Sequence, residues 1–286
     1  MHEPVMLEEA LEHLAIRPEG IYLDATAGLG GHTGAIARRL ATGFVIANDR
    51  DPQSLELARQ NTADAGDRIR FHHGEFSTLH EALRENGIDQ VDGLLADLGV
   101  SRFQLTDATR GFSILTDGPL DMRMDQTQGT TAAELVNYTA EKALADLIYQ
   151  LGEERRARKI ARAIVRARPI RSTRHLADVV ERAAYRTGRL HPATQTFMAL
   201  RMAVNREQEE LDKLLDVAPQ LVKSKGRVVV ISFMSLEDRK VKVKFRSLQQ
   251  EGRATVLTKR PLRPTEDEIR TNPASRSAKL RALEMN

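Results

Sequence analysis

The chain contains no cysteine and no tryptophan. The absence of cysteine excludes disulfides, thiolate metal sites and a cysteine nucleophile, and it fits the cytoplasm. Aromatic residues make up only 4% of the chain, which argues against a large aromatic platform for single-stranded nucleic acid. No run approaches about 18 apolar residues, so no membrane span is expected. Met1-His-Glu-Pro4 lacks a basic segment leading into an apolar one, so no signal peptide is expected. No internal repeat or low-complexity tract is present. Neither sign of charge dominates: 43 basic residues face 40 acidic ones, for a formal charge of +3 and a pI near 9.2. Where the charges lie therefore matters more than their total.

What the chain does have is length and core material. Its 286 residues are 41% hydrophobic, enough for one large domain or two modest ones. Residues 5–15 have the spacing of an amphipathic helix. The apolar run Gly20-Ile-Tyr-Leu23 then leads into Asp24-Ala-Thr-Ala-Gly-Leu-Gly-Gly-His-Thr33, followed by a stretch of helical periodicity. Strand, glycine turn and helix is the order in which open α/β folds build a ligand site at the carboxyl end of the first strand. Further strands are predicted at 44–48, 69–71 and 91–97, with helices at about 52–58 and 79–85. That alternation predicts a parallel sheet with crossovers.

The alternation stops after the fourth strand. From about 105 to 216 the pattern is a turn-rich stretch and then helix after helix, the last expected over 194–216. Strand signal returns at 227–233 and 254–259, on either side of a helix at 236–249. The expected organisation is an α/β domain formed by 1–104 and 217–286, interrupted by an all-helical insertion, 105–216.

The glycine turn admits two cofactors. A dinucleotide turn of the form G-x-G-x-x-G would need glycine where Thr33 stands. The form D-x-x-x-G-x-G fits Asp24, Gly28 and Gly30 and is the usual S-adenosylmethionine turn. Asp49, ending the second strand, is placed to accept from ribose hydroxyls, and Asp97 ends the fourth strand. A sulfonium is already a good leaving group, so such an enzyme mostly aligns an in-line attack. An amine nucleophile also needs an acceptor, and Asp97 can serve.

Two other stretches carry unusual charge. The loop containing Arg110-Gly-Phe-Ser113 and Asp117-Gly-Pro-Leu-Asp-Met-Arg-Met-Asp125 is either functional or a surface loop with local ion pairs. Over 153–168, at about 100° per residue, Arg155, Lys159, Arg162 and Arg166 form one stripe, opposite Ala157, Ile160, Ala161 and Ile164. Arg168, Arg171 and Arg174 extend the basic character. Such a ridge suits a phosphate backbone or is simply solvated. The tail Asn272 to Arg281 reads equally as a disordered basic end.

Taken together these stretches closely resemble the ribosomal RNA small subunit methyltransferase H family, also called MraW. The matches are His2-x-Pro4-Val5, Asp24-Ala-Thr-x-Gly-x-Gly-Gly-His32, Asp49-Arg-Asp-Pro52, Asp92-Gly-Leu-Leu-x-Asp97-Leu-Gly-Val-Ser101, Gln104-Leu105, and the 110–125 loop. They continue through Tyr149-x-Leu-Gly-Glu-Glu154, His191-Pro-Ala-Thr194, Ser235-Leu-Glu-Asp-Arg239 and the Asn272 to Arg281 tail. The resemblance implies a Rossmann-like class I methyltransferase fold. The implied reaction moves a methyl group from S-adenosyl-L-methionine to the exocyclic N4 of one cytidine in the decoding region of 16S rRNA. It implies the small ribosomal subunit as partner, a monomer or homodimer, and no metal. By matching position, Gly30, Gly31 and His32 would contact the cofactor, Asp49 would hold its ribose, and Phe76 would lie near its adenine. Asp97 and Gln104 would complete the pocket, with Asp97 orienting the amine.

Three positions depart from the family pattern: Arg102 and Met234 stand where serine and histidine are usual, and Met198 replaces a glutamine. Met234 supports the alternative of a non-catalytic assembly factor with a vestigial pocket. A small-molecule methyltransferase is the other alternative, and it leaves the basic ridge incidental.

Overall fold

A computed structural model describes residues 4–184 and 191–286. The sequence predicts a helix over 174–186; its positions 185 and 186, like His2 of the family match, lie outside the described residues. The chain divides into two compact units. One takes in the chain up to Gly99 together with Gln208–Asn286; the other is Val100–Glu207.

The first unit is built on a seven-stranded sheet: β1 (Ile21–Asp24), β2 (Phe44–Asp49), β3 (Ile69–His73), β4 (Val91–Asp97), β5 (Val222–Ser232), β6 (Ala254–Val256) and β7 (Lys279–Met285). Their spatial order is β3-β2-β1-β4-β5-β7-β6. The first five in that order pair in parallel, and β7 is antiparallel to both neighbours. Helices α1 (Leu7–Leu14), α2 (Gly31–Arg38), α3 (Pro52–Asn61) and α4 (Leu79–Glu85) precede the second unit. Helices α11 (Glu207–Leu221), α12 (Ser235–Gln250) and α13 (Glu266–Thr271) follow it.

The strands read as continuous apolar runs because both faces of the sheet are covered. Leu23, Ile46, Leu94, Ala96, Val228 and Val230 point into a core closed by α4, α11 and α12. Their neighbours Tyr22, Val45, Ala47, Leu95, Val229 and Ile231 point into the other, closed by α1 and α2. The strand order reverses between β1 and β4, and such switch points open a crevice at the carboxyl ends of the strands.

The second unit holds α5 (Arg102–Thr106), α6 (Ala132–Tyr138), α7 (Glu141–Gly152), α8 (Ala157–Ala167), α9 (Thr173–Ala183) and α10 (Thr194–Val204). It has no strand among the described residues. Leu144, Ile148, Ile160, Ile164, Leu176, Val180 and Leu200 form its core.

Two expectations change. The helix expected over 194–216 is two helices, α10 and α11, because Asn205 caps the first and Arg206 takes a left-handed φ of 49°. The first unit accordingly resumes at Gln208, ahead of the expected 217. The tail is not a disordered basic end. Lys279–Met285 is β7, inserted between β5 and β6, and Arg281 is buried against Asp238 of α12 at 2.6 Å.

Candidate active site

The glycine turn leaves β1 at the switch point and is pinned on both sides. The Ala25 amide donates to the Leu95 carbonyl at 2.8 Å, and the Ala27 amide donates to the Asn48 carbonyl at 2.8 Å. The Asn48 side-chain amide ties the turn across the strand ends, donating to the carbonyls of Ala25 and Gly74 at 3.1 Å each. Gly28 and Gly30 have φ of 52° and 86°, a region that other residues avoid. A side chain at Gly30 would also sit 2.8 Å from the Thr62 methyl, so glycine is what lets the start of α2 pass close to the end of α3.

Asp24 is fully buried under this turn. It accepts from the Thr33 hydroxyl at 2.6 Å and the Thr26 amide at 3.1 Å. Burial pushes its pKa up to about 6 against the opposing pull of those bonds. Asp49, at the end of β2, accepts from the Gly28 amide at 2.8 Å and the Asp51 amide at 2.9 Å. Burial raises its pKa to about 6 as well, again opposed by its amide donors, with Asp51 and Asp24 adding repulsion.

Asp97 ends β4, where its amide donates to the Thr26 hydroxyl at 2.7 Å. Its side chain is 23% exposed, but Oδ1 is buried and has no hydrogen-bond partner. Burial, then the Asp24 carboxylate, then Glu237 hold its pKa well above the ordinary carboxylate value. Glu237 is itself buried at the start of α12, accepting from the amides of Phe233 and Met234 at 3.0 and 3.1 Å. Sequence reasoning quoted Glu237 inside a motif and gave it no role. No helix-start signature marks it in the sequence, because the N-cap is Met234, where the motif has serine or threonine.

His32, in the first turn of α2, faces Asp97 with Nδ1 3.8 Å from Oδ2. Its Nε2 lies 3.0 Å from the Val5 carbonyl, which can only accept, so Nε2 carries the proton. Burial lowers its pKa to about 4, leaving the ring neutral with a lone pair on Nδ1. Nδ1 therefore faces the Asp97 carboxyl as an acceptor across a gap, and the two do not form an ion pair. The carboxylates of Asp24 and Asp49 are held by amide and hydroxyl donors, Asp97 has no donor on Oδ1, and among the described residues no lysine or arginine is paired with the three. A buried cluster of this kind favours a cationic or proton-donating ligand.

Gly30, Gly31, His32, Asp49 and Asp97 thus come together at the strand ends of the first unit. Phe76 follows β3 in a short 3-10 turn (Phe76–Thr78) and packs, half-buried, against the α11 core. Gln104 belongs to the second unit, where it closes a capping box with Ser101 at the start of α5. Met234 presents its amide to Glu237, and Arg102 is exposed at the first position of α5.

The charged loop is a buried brace of the second unit. Arg110 is 1% exposed and donates to the carbonyls of Arg123 and Met124 at 3.0 and 2.7 Å. Asn205, also buried, accepts from the Met124 amide at 2.8 Å and donates to the Met122 carbonyl at 2.7 Å. Along α8 the stripe is Lys159, Arg162 and Arg166, exposed opposite the buried Ala157, Ile160, Ala161 and Ile164; Arg155, expected in it, is exposed in the turn before the helix begins. Arg168 leaves the ridge, because its guanidinium turns inward onto the carbonyls of Val136 and Thr139 at the end of α6.

The chain is 70% identical over 285 residues to the ribosomal RNA small subunit methyltransferase H of Solibacter usitatus, covering 100% of both proteins. It is 51% identical to the protein of that name from Acidobacterium capsulatum, over 99% of this chain and 98% of that one. The Koribacter versatilis protein is 50% identical, over 98% and 93%. Residues 1–286 also match, without a break, the family described as MraW methylase. An α/β sheet with its carboxylates at the switch point, and this full-length match, place the chain in the MraW methylase family.

Proposed function

We propose that this chain is a cytoplasmic enzyme of the small-subunit rRNA, moving a methyl group from S-adenosyl-L-methionine to the exocyclic N4 of one cytidine in the 16S decoding region. The observation that carries this reading is Asp97: a buried, unpaired carboxylate oxygen at the end of β4, beside Asp24 and a neutral His32. The names of the relatives support the rRNA substrate, and the ridge on α8 supports binding to a phosphate backbone.

The residues present fit the cofactor. Asp49 keeps free lone pairs for ribose hydroxyls after accepting two amides, and the turn at Gly28 has no side chain to block an approach. When bound, the cofactor supplies a methyl group already activated on a sulfonium. The protein's share is alignment and charge. A cation in the pocket favours the carboxylate form of Asp97, whose pKa is otherwise raised.

Cytosine N4 is a poor nucleophile because its lone pair is delocalised into the ring. Asp97 accepts a hydrogen bond from the amine and directs that lone pair toward the methyl carbon. The Asp97 carboxylate would take the one proton that the amine must give up on being methylated. Excluding water from the buried strand ends strengthens each of these interactions. The target base must leave its stack to arrive there.

The test is incubation with labelled cofactor and, in separate arms, undermethylated small subunits, naked rRNA and a panel of small molecules. Label in N4-methylcytidine of the rRNA supports the proposal. Label in a small molecule alone, or tight cofactor binding with no transfer, refutes it.

A further inference from the structure

The second unit carries a recess of about 590 Å³ that the reaction does not use. Glu134, Leu135, Tyr138, Thr139, Val204 and Arg206 line it. Tyr138 is the last residue of α6, and 84% of its surface is open. The recess lies beside the cationic ridge. Glu141, three residues beyond Tyr138, meets the Arg162 guanidinium at 3.4 Å, and Arg168 is bonded to the carbonyl of Thr139 in the recess wall. These two contacts tie α8, with its exposed Lys159, Arg162 and Arg166, to the end of α6, where the exposed Tyr138 ring stands.

We propose that this recess receives an unpaired base of the rRNA, stacked on Tyr138, while the neighbouring phosphates lie along the α8 ridge. The charges sort the two parts of the nucleotide. Lys159 to Arg166 covers about 10 Å at 1.5 Å per residue, enough for more than one phosphate. The recess itself contains the Glu134 carboxylate, held by the Thr131 amide and hydroxyl at 2.8 and 2.9 Å. A carboxylate repels phosphate but accepts from exocyclic amino groups, so a cytosine, adenine or guanine fits better than uracil. Every base has a face to stack on a tyrosine, and one such contact is sequence-tolerant. The recess would thus hold one unpaired base of the rRNA, fixing how the strand lies on this unit. This inference rests on the rRNA reading proposed above.

The test measures binding of a fluorescent single-stranded RNA of decoding-region sequence to wild type, Tyr138→Ala, Tyr138→Phe and the double reversal Lys159→Glu, Arg162→Glu. Each is titrated at several salt concentrations. Tyr138→Ala should bind about 5- to 100-fold more weakly with an unchanged salt slope, the range expected for one lost stack. Tyr138→Phe should stay within about twofold of wild type, and the double reversal should flatten the salt slope. The thermal unfolding transition should be the same in all four proteins and serves as the check on folding, and cofactor affinity should be unchanged. In turnover, Tyr138→Ala should raise KM for rRNA more than it lowers kcat.

Equal RNA affinity of Tyr138→Ala and wild type would overturn the inference. So would a Tyr138→Phe protein as weak as the alanine variant, which would assign the effect to the hydroxyl. A defect seen only with assembled subunits and not with naked RNA would mean that the recess docks a protein, and would overturn it too. If wild type binds RNA through Tyr138 yet methylates no rRNA, the functional proposal fails and this inference stands.

Discussion

His32 and Asp97 face one another with Nδ1 3.8 Å from Oδ2, and the imidazole does so as an acceptor. The proton of the imidazole is committed to the Val5 carbonyl, and burial keeps the ring neutral with a pKa near 4. A gap bounded by the Nδ1 lone pair and by a carboxyl that a cation would ionise suits a group that brings its own hydrogens or positive charge. Replacing His32 by glutamine or phenylalanine should therefore weaken cofactor binding, with phenylalanine the worse because it removes both the acceptor and the bond to Val5. Calorimetry on the two variants checks the order; equal affinities would contradict it.

The carboxylates predict a pH dependence. Asp24 and Asp49 have folded-state values near 6, above the ordinary 3.8, so the ligand-free fold prefers them protonated. Their contribution to stability is full below about pH 4 and is lost as pH rises through 6. A cationic ligand reverses the preference, because it favours the ionised forms. Affinity for S-adenosylmethionine should rise between pH 5 and 7, while affinity for S-adenosylhomocysteine, which lacks the sulfonium charge, should rise less. Parallel pH profiles for the two ligands would contradict this.

The ion pair at the end of the chain should be structural. Arg281 is 7% exposed and bonded to Asp238, with Lys279 at 3.7 Å from the same carboxylate. Removing one partner of such a pair leaves a charge without its compensation. Arg281→Ala should destabilise the first unit by about 3 kcal/mol, and Lys279→Ala by less than about 1 kcal/mol. Chemical denaturation monitored on each variant gives the comparison.

In the second unit the brace at Asn205 makes a similar prediction. Asn205→Ala leaves the Met124 amide and the Met122 carbonyl unpaired in a buried setting, at a cost of about 2–4 kcal/mol. Thermal unfolding should show a lowered transition, with cofactor affinity measured below that transition unchanged.

The sheet was readable from the chain because β1, β2 and β4 are apolar on both faces and each ends in an aspartate at a turn. Parallel strands covered by helices leave that signature, and the glycine turn marks where they begin. The stripe on α8 was equally plain, since helical period alone separates its arginines from its isoleucines. β7 was not readable. Lys279-Leu-Arg-Ala-Leu-Glu-Met285 is rich in helix formers, and its strand conformation comes from pairing with β5 and β6 on either side. Its arginine looks like a surface residue until Asp238 is brought against it from α12. The 110–125 loop was opaque for the same reason. Its charges suggest a surface, and only Asn205, about eighty positions away in the chain, shows that Arg110 and Met122 are inside. Residues that depend on one distant partner leave no periodic trace.

The account stands or falls on Asp97. The decisive measurement is nucleoside mass spectrometry of undermethylated small-subunit rRNA incubated with S-adenosylmethionine and either wild type or Asp97→Asn. The account predicts N4-methylcytidine from wild type and a yield rate lower by about 10²- to 10⁴-fold from the variant at saturating cofactor. A variant that binds cofactor normally and forms N4-methylcytidine at the wild-type rate would contradict it, as would methylation by wild type of any other atom.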